Sequence, residues 1–194
     1  MSPEIITSIP VEVEPDSAIA IPLTGKWAVG DRAVTWVPAE FHAQIISIGK
    51  RNGKGKWNCT KPANGKTMYA TRSNPMVGGQ RGTMLFLHVL IMKLAGLWVE
   101  GLQVDHRDGN GLNNRLSNLR MATNAQNQRN CKRKASNKSG AKGVSWCKRS
   151  NLWRAQIWIN NSSVTLGYFD TIEEGAEVYK TASAKHYGEF ARTD

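Results

Sequence analysis

Apolar and polar positions alternate most regularly near the C-terminus. In Trp153-Arg154-Ala155-Gln156-Ile157-Trp158-Ile159, the residues Ala155, Ile157 and Ile159 share one face, the period-two signature of a half-buried strand. Val144 to Trp146 reads as a shorter strand before it, across the basic turn Lys148-Arg149-Ser150-Asn151. Asn160-Asn161-Ser162 turns the chain back into a third strand, Ser163 to Tyr168. Thr171 and Glu174 then form a capping box. Ile172, Ala176, Tyr179, Ala182 or Ser183, and Tyr187 follow at helical spacing, and Gly188 suits the stop. The pattern predicts three antiparallel strands with one helix across them. Tyr168, Phe169, Tyr179 and Tyr187 are expected in its core, and Glu173, Glu174 and Glu177 in solvent.

The pattern upstream is a second unit. Leu102 to Val104 reads as a short strand, Asp108-Gly109-Asn110-Gly111 as a turn and Leu119 to Ala122 as a returning strand. Thr123 and Gln126 make another capping box, so a helix should start near Asn124. That order brings Asp105 and His106 close to Asn127. Before it, Met84 to Trp98 fits a strand running into a buried helix, with His88 expected as a core histidine. Lys56 to Cys59 and Thr67 to Thr71 read as a hairpin around Asn64-Gly65, equally suited to a DNA groove or to a solvated ribbon. Ala18 to Leu23 reads as a strand, and the segment from Ala33 to Ile48 as strand and short helix. Arg51 to Lys56 and Asn74 to Arg81 read as loops.

Charge changes the picture. The chain has 194 residues and a formal net charge of +11. Residues 1–24 carry four acids and no Lys or Arg, whereas residues 25–149 carry 22 basic residues against five acids. A basic middle of that size points to a polyanion partner, most simply nucleic acid. Arg129 to Lys142 holds six Lys/Arg and no long apolar residue, the composition of a linker. Three scattered cysteines, Cys59, Cys131 and Cys147, encode neither a zinc ribbon nor a disulfide framework and fit a reducing cytoplasm. No signal peptide or membrane span is expected.

The candidate chemistry lies between Val104 and Asn130. Asp105 is a hard oxygen ligand suited to Mg²⁺. His106 takes a proton near neutral pH. Phosphodiester hydrolysis needs an activated water and stabilisation of developing negative charge. A neutral His106 suits the first task, and a metal on Asp105 and the Asn127 amide oxygen suits the second. Asn118 is placed to orient the imidazole. Arg120, Arg129, Lys132, Arg133 and Lys134 are candidate phosphate contacts.

Val104-Asp105-His106, Gly109 to Arg115, Ser117-Asn118-Leu119-Arg120, Ala122-Thr123 and Asn127 together resemble the HNH nuclease family, in the branch common among phage and intron homing endonucleases. The resemblance implies His106 as general base, Asp105 and Asn127 holding one divalent metal (Mg²⁺ or Mn²⁺), and Asn118 fixing the histidine ring. Lys142-Gly143-Val144, Trp153 to Ile157, Leu166 to Thr171, Glu173-Glu174, Ala176, Tyr179, Ala182 and His186 to Phe190 resemble the AP2 DNA-binding domain. That resemblance implies a sheet face entering the major groove, on which Trp146, Lys148, Arg149, Arg154, Gln156 and Trp158 are expected. Ser145, Thr165 and Trp158 depart from the common pattern of that family, so its base preferences do not transfer.

The expected fold is α+β. It comprises an acidic arm (1–24), a nuclease domain (25–130) with a small β-rich region leading into a ββα-metal core, a basic linker (131–142) and an AP2-like domain (143–194). The expected function is a metal-dependent, homing-type DNA endonuclease with one metal per active site. It would act on double-stranded DNA in the cytoplasm of a bacterial or phage-infected cell, as monomer or homodimer, with no membrane or small-molecule partner. The alternative is a non-catalytic DNA-binding regulator with a degenerate nuclease fold. RNA binding is a third reading, disfavoured because the RNA major groove is too narrow for a sheet.

Overall fold

The structure, a computed structural model, describes residues 17–48, 56–63, 67–73, 83–133 and 136–193. The expected arm up to residue 16, the loop Arg51 to Gly55, the Asn64-Gly65 turn, the loop Asn74 to Arg81 and Lys134 lie outside the described residues. The chain is mixed α+β and divides into two compact units. One comprises residues 1–98 and 110–119, the other residues 99–109 and 120–194.

The first unit is built on a five-stranded sheet. Its strands are β1 (Ala18–Thr24), β2 (Val34–Pro38), β3 (Trp57–Thr60), β4 (Tyr69–Ser73) and β5 (Met84–Phe86), in the order β2-β1-β3-β4-β5. β1 pairs with β2 antiparallel but with β3 parallel, Leu23 opposite Trp57. Alternation explains the burial: Ile21 and Leu23 on β1, and Trp57 and Cys59 on β3, point into the core. Two helices complete it, α1 (His42–Ser47) with Ile45 buried, and α2 (Leu87–Leu94) with Leu87, His88, Ile91 and Met92 buried. His88 is a core residue beside Tyr69 and Phe86, at ring-centroid distances of 5.3 and 5.5 Å.

The loop 110–118 is fastened to β2 by polar contacts. Trp36 N–H donates to the Leu112 carbonyl at 3.1 Å, and Asn114 N–H donates to the Trp36 carbonyl at 2.9 Å. The Thr35 hydroxyl, fully buried, donates to the Leu112 carbonyl at 2.8 Å and accepts from the Asn114 amide at 2.8 Å. Gly111 fits because it has no side chain: a Cβ there would lie 2.3 Å from the Met68 carbonyl oxygen. The N-terminal sheet therefore shapes half of the loop that sequence alone assigns to the nuclease motif.

The second unit begins with a hairpin, β6 (Gln103–His106) and β7 (Leu119–Ala122), which pair as a two-stranded sheet. Helix α3 (Asn124–Asn130) follows, with the expected Thr123/Gln126 capping box formed in both directions. Then come β8 (Val144–Cys147), β9 (Leu152–Ile159) and β10 (Ser162–Phe169), in the antiparallel order β10-β9-β8. Helix α4 (Ile172–Tyr187) packs on them, started by the Thr171/Glu174 box and ended at Gly188. Its buried stripe is Gly175, Tyr179 and Ser183, so the helix approaches the sheet through its two smallest contact residues. Burial, with Tyr187 nearby, pushes the Tyr179 hydroxyl up to about 12.

Between them, the segment expected as a bare linker is tied down where it is described. Lys142 Nζ donates to the carbonyls of Arg129 and Cys131 at 2.7 and 2.8 Å, at the C-terminal end of α3, where positive charge is favoured. The Ser139 hydroxyl bonds Asn137 Oδ1 at 2.6 Å and the Val144 carbonyl at 2.7 Å. Among the described residues, no helix is long and apolar enough to cross a membrane.

Candidate active site and nucleic-acid face

The hairpin β6–β7 ends its first strand on Asp105 and His106, both buried, at 4% and 5% exposure. Asp105 is held from two sides. Arg120, on β7, brings Nε to 2.8 Å and Nη2 to 2.7 Å of Oδ2. Asn130, in the last turn of α3, places Nδ2 3.0 Å from both carboxylate oxygens and 2.8 Å from the His106 carbonyl oxygen. The His106 carbonyl also accepts from Gly109 N–H at 2.8 Å. One asparagine thus locks the helix to the Asp-His dipeptide. The Asp105–Arg120 pair is nearly dry, and such a pair is tolerated only when its remaining valences are met. Here Asn130 serves the carboxylate and the Glu189 carbonyl serves the guanidinium, while Arg120 Nη2 makes only its ion-pair contact.

Arg120 Nη1 donates to the Glu189 carbonyl at 2.7 Å, and its guanidinium lies 3.7 Å from the Phe190 ring centroid. The Glu189 carboxylate reaches Arg120 at 3.4 Å and is hydrogen-bonded by Arg107. That hydrogen bond, then the charges of Arg107 and Arg120, hold the Glu189 carboxyl below the usual carboxylate range.

Hard oxygen donors are present for a divalent cation. Asp105 Oδ1 accepts one hydrogen bond among the described residues, so it keeps lone-pair capacity. Asn127 Nδ2 donates to Gln103 Oε1 at 2.9 Å, which commits its nitrogen and leaves the amide oxygen as the end that could take a ligand. A carboxylate and an amide oxygen suit Mg²⁺ or Mn²⁺. No group of three or more His, Cys, Asp or Glu that could hold a metal occurs among the described residues. Asn118 belongs to the first unit, where it is buried and donates to the Asn113 carbonyl at 2.8 Å.

Several expected phosphate contacts are otherwise engaged. Arg120 is 6% exposed and committed to Asp105 and Glu189. Arg129 stacks on the Tyr187 ring at 4.6 Å, and Arg133 donates to the Asn137 carbonyl at 3.1 Å. Lys132 is exposed.

The strand register sorts the expected sheet-face residues. Residues directly opposite in an antiparallel pair share a face. Tyr168, Arg154 and Ser145 are opposite one another across the three strands, and Thr165–Gln156 and Ser163–Trp158 fall on the same face. Arg154, Gln156 and Trp158 therefore stand on the face away from α4, with Trp158 at 58% exposure. Ser145, Trp158 and Thr165 all occupy it too. Lys148 and Arg149 are exposed in the turn at its end.

Two expectations are corrected. Trp146 pairs with Trp153, on the face that carries Val144, Ala155 and Ile157, and the two rings meet edge-on at 5.0 Å. It is nonetheless 45% exposed. Tyr168, expected in the core, stands 48% exposed on the outer face. The register shift between Thr165 and Gly167 changes the alternation of β10 and turns Tyr168 outward.

Residues 85–129, from β5 through α3, match the model of the HNH endonuclease family. A protein of Escherichia phage T7, Protein 3.8, is 38% identical over 106 residues, covering 54% of this chain and 87% of the relative. Over residues 85–129 the chain is therefore similar to HNH endonucleases. An uncharacterized HNH endonuclease, L560, of Acanthamoeba polyphaga mimivirus is 36% identical over 106 residues, 55% of this chain and 53% of that relative. No solved structure matches the chain.

Around the Asp-His dipeptide, sequence reasoning missed Asn130, Gln103 and the C-terminal pair Glu189 and Phe190. Asn130 had a local signal, since it lies three residues after Asn127 and shares its helix face. Gln103 lies two residues before Asp105, on the same side of β6. Glu189 is 69 residues from Arg120, and no local pattern links them.

Proposed function

We propose that this protein is a metal-dependent DNA endonuclease of the homing type, with an HNH site that cuts and an AP2-like C-terminal module that addresses it. The observation that carries the reading is the Asn130 clamp. It holds a buried carboxylate and the neighbouring histidine backbone on one hairpin, inside the stretch matching the HNH family. His106 is the general base that takes the proton of the attacking water. The family resemblance gives Asn118 the role of orienting its ring. Asp105 and the Asn127 amide oxygen would hold one Mg²⁺ or Mn²⁺, which would supply stabilisation of negative charge on the phosphate and leaving oxygen. Gln103 sets the Asn127 amide with its oxygen outward.

The addressing role rests on chemistry of the outer sheet face. Arg154 and Gln156 suit guanine and adenine edges, and Lys148 and Arg149 suit phosphates. Trp158 and Tyr168 add exposed aromatic surface. The competing reading is a non-catalytic DNA-binding regulator; on its side stands the occupation of Asp105 Oδ2 by Arg120 and Asn130.

Supercoiled DNA carrying a target site, incubated with Mg²⁺ or with EDTA, separates the two. Wild type with Mg²⁺ should convert it to nicked or linear product. His106→Ala should cut slower by about 10²- to 10⁴-fold with DNA affinity unchanged. Equal cutting by the variant would remove His106 from its role. Tight duplex binding without metal-dependent cutting by wild type would favour the regulator.

A further inference from the structure

The second unit contains a connection that a cut-and-address division of labour does not require. Its two ends are the HNH hairpin and the last turn of the chain. Arg120 joins them through one guanidinium: Nε hydrogen-bonds Asp105 Oδ2 and Nη2 makes an ion-pair contact with it, Nη1 donates to the Glu189 carbonyl, and the plane stacks on Phe190. Phe190 is 6% exposed and Arg120 is as deeply buried. A lone buried arginine has five donors and long rotamer freedom, so a carboxylate bonded to it is only as well placed as the guanidinium itself. The ring beneath and the carbonyl beside it remove that freedom.

We propose that Glu189 and Phe190, at the end of the C-terminal module, are positioning residues of the HNH site. They hold the Arg120 guanidinium, which in turn orients the Asp105 carboxylate. This rests on the nuclease reading for the role of Asp105. The C-terminal module then does more than bind DNA: it completes the support of the carboxylate on which chemistry depends. Groups that hold a metal-binding side chain in place typically change metal affinity or activity by about 10- to 100-fold when removed. Ring removal is the sharper probe, because the Glu189 contact to Arg120 Nη1 is made by backbone and survives side-chain substitution.

The experiment uses full-length protein and four forms: wild type, Phe190→Ala, Phe190→Leu and Phe190→Tyr. Circular dichroism and thermal unfolding report folding, and duplex binding without metal reports the sheet face. Mn²⁺ binding is followed by the electron paramagnetic resonance of the free ion, and cleavage by kcat and KM separately. Phe190→Leu fills the space without a ring face, so it keeps a readout if Phe190→Ala fails to fold. The expected result is Mn²⁺ binding and kcat lowered about tenfold or more in the Leu form. Duplex affinity and KM should stay at wild-type values, and Phe190→Tyr, which keeps a ring, should restore both losses. A folded Leu form with wild-type Mn²⁺ affinity and kcat would overturn the proposal. So would a Tyr form as impaired as Leu, since the ring face would then be irrelevant. Failure of the nuclease reading itself would appear in wild type, as absence of both Mn²⁺ binding and cutting.

Discussion

The two halves of the second unit bury opposite things. The hairpin-helix half, β6, β7 and α3, hides Asp105, His106, Arg120 and Asn130. The sheet-helix half, β8 to β10 with α4, hides Val144, Ala155, Ile157 and Tyr179 and turns Arg154, Gln156 and Trp158 outward. The first half owes its shape to hydrogen bonds that must all be made at once, since an unmet buried charge is costly. The second owes its shape to apolar contact, which tolerates change on the other face. Chemistry needs the former, with atoms fixed against one another. A surface that reads a long polymer is served by the latter, where side chains change without loss of the fold.

The contrast can be broken from either side. After the loss expected of His106→Ala, the largest effect should come from Gly143→Ala in the apolar half. Gly143 has φ +78°, and a Cβ there would lie 2.1 Å from the Tyr179 ring. We expect a destabilisation of about 1–3 kcal/mol, or more if the backbone cannot shift, measured by urea unfolding. Full stability would mean that the Tyr179 packing is not as described.

Next come the two faces of the same sheet. Arg154→Ala should weaken duplex binding by about 1–3 kcal/mol with little change in unfolding midpoint, if it meets a base edge. Trp146→Ala should do the reverse, costing about 0.5–1.5 kcal/mol of stability through the lost Trp153 contact and leaving affinity nearly intact. A Trp146 variant that loses affinity but not stability would restore Trp146 to the reading face. Both are checked by fluorescence anisotropy and thermal unfolding on the same preparations.

The smallest effect is a pH dependence at the seam between the halves. Glu189 has its carboxyl lowered by Arg107 and then Arg120, so its contribution is present above the unfolded carboxyl value and is lost as pH falls through the lower folded value. Its exposure and screening keep that contribution small. The gap in stability between wild type and Glu189→Gln should therefore close as pH falls from about 7 to about 3. A gap that widens on acidification would reverse the sign.

Local chemistry was legible in the sequence, and long-range partnership was not. Both capping boxes involve residues three apart, so Thr123/Gln126 and Thr171/Glu174 could be read directly and are present. The period of β9 was equally plain. Tyr168 was misplaced because a register shift in β10 leaves no distinct mark on alternation. Trp146 was misplaced because the period of a four-residue strand cannot say which parity faces the helix. The parallel pairing of β1 with β3 joins segments 34 residues apart and had no local signal. In the site, Asp105 and His106 were visible as residue types. The burial of Arg120 against them depends on which way β7 faces and on a tail that comes 69 residues later.

The chain enters the second unit at residue 99, leaves it for residues 110–119, and returns at residue 120. Heredity has to respect that interleaving. A recombination breakpoint anywhere from residue 99 onward divides the second unit between two parents, and one beyond Asn130 would exchange β8 to α4 in a single piece. Even then the incoming segment would have to bring its own counterpart of Glu189 and Phe190. An exchanged segment is thus constrained at that pair and unconstrained by it at the outward residues of β9.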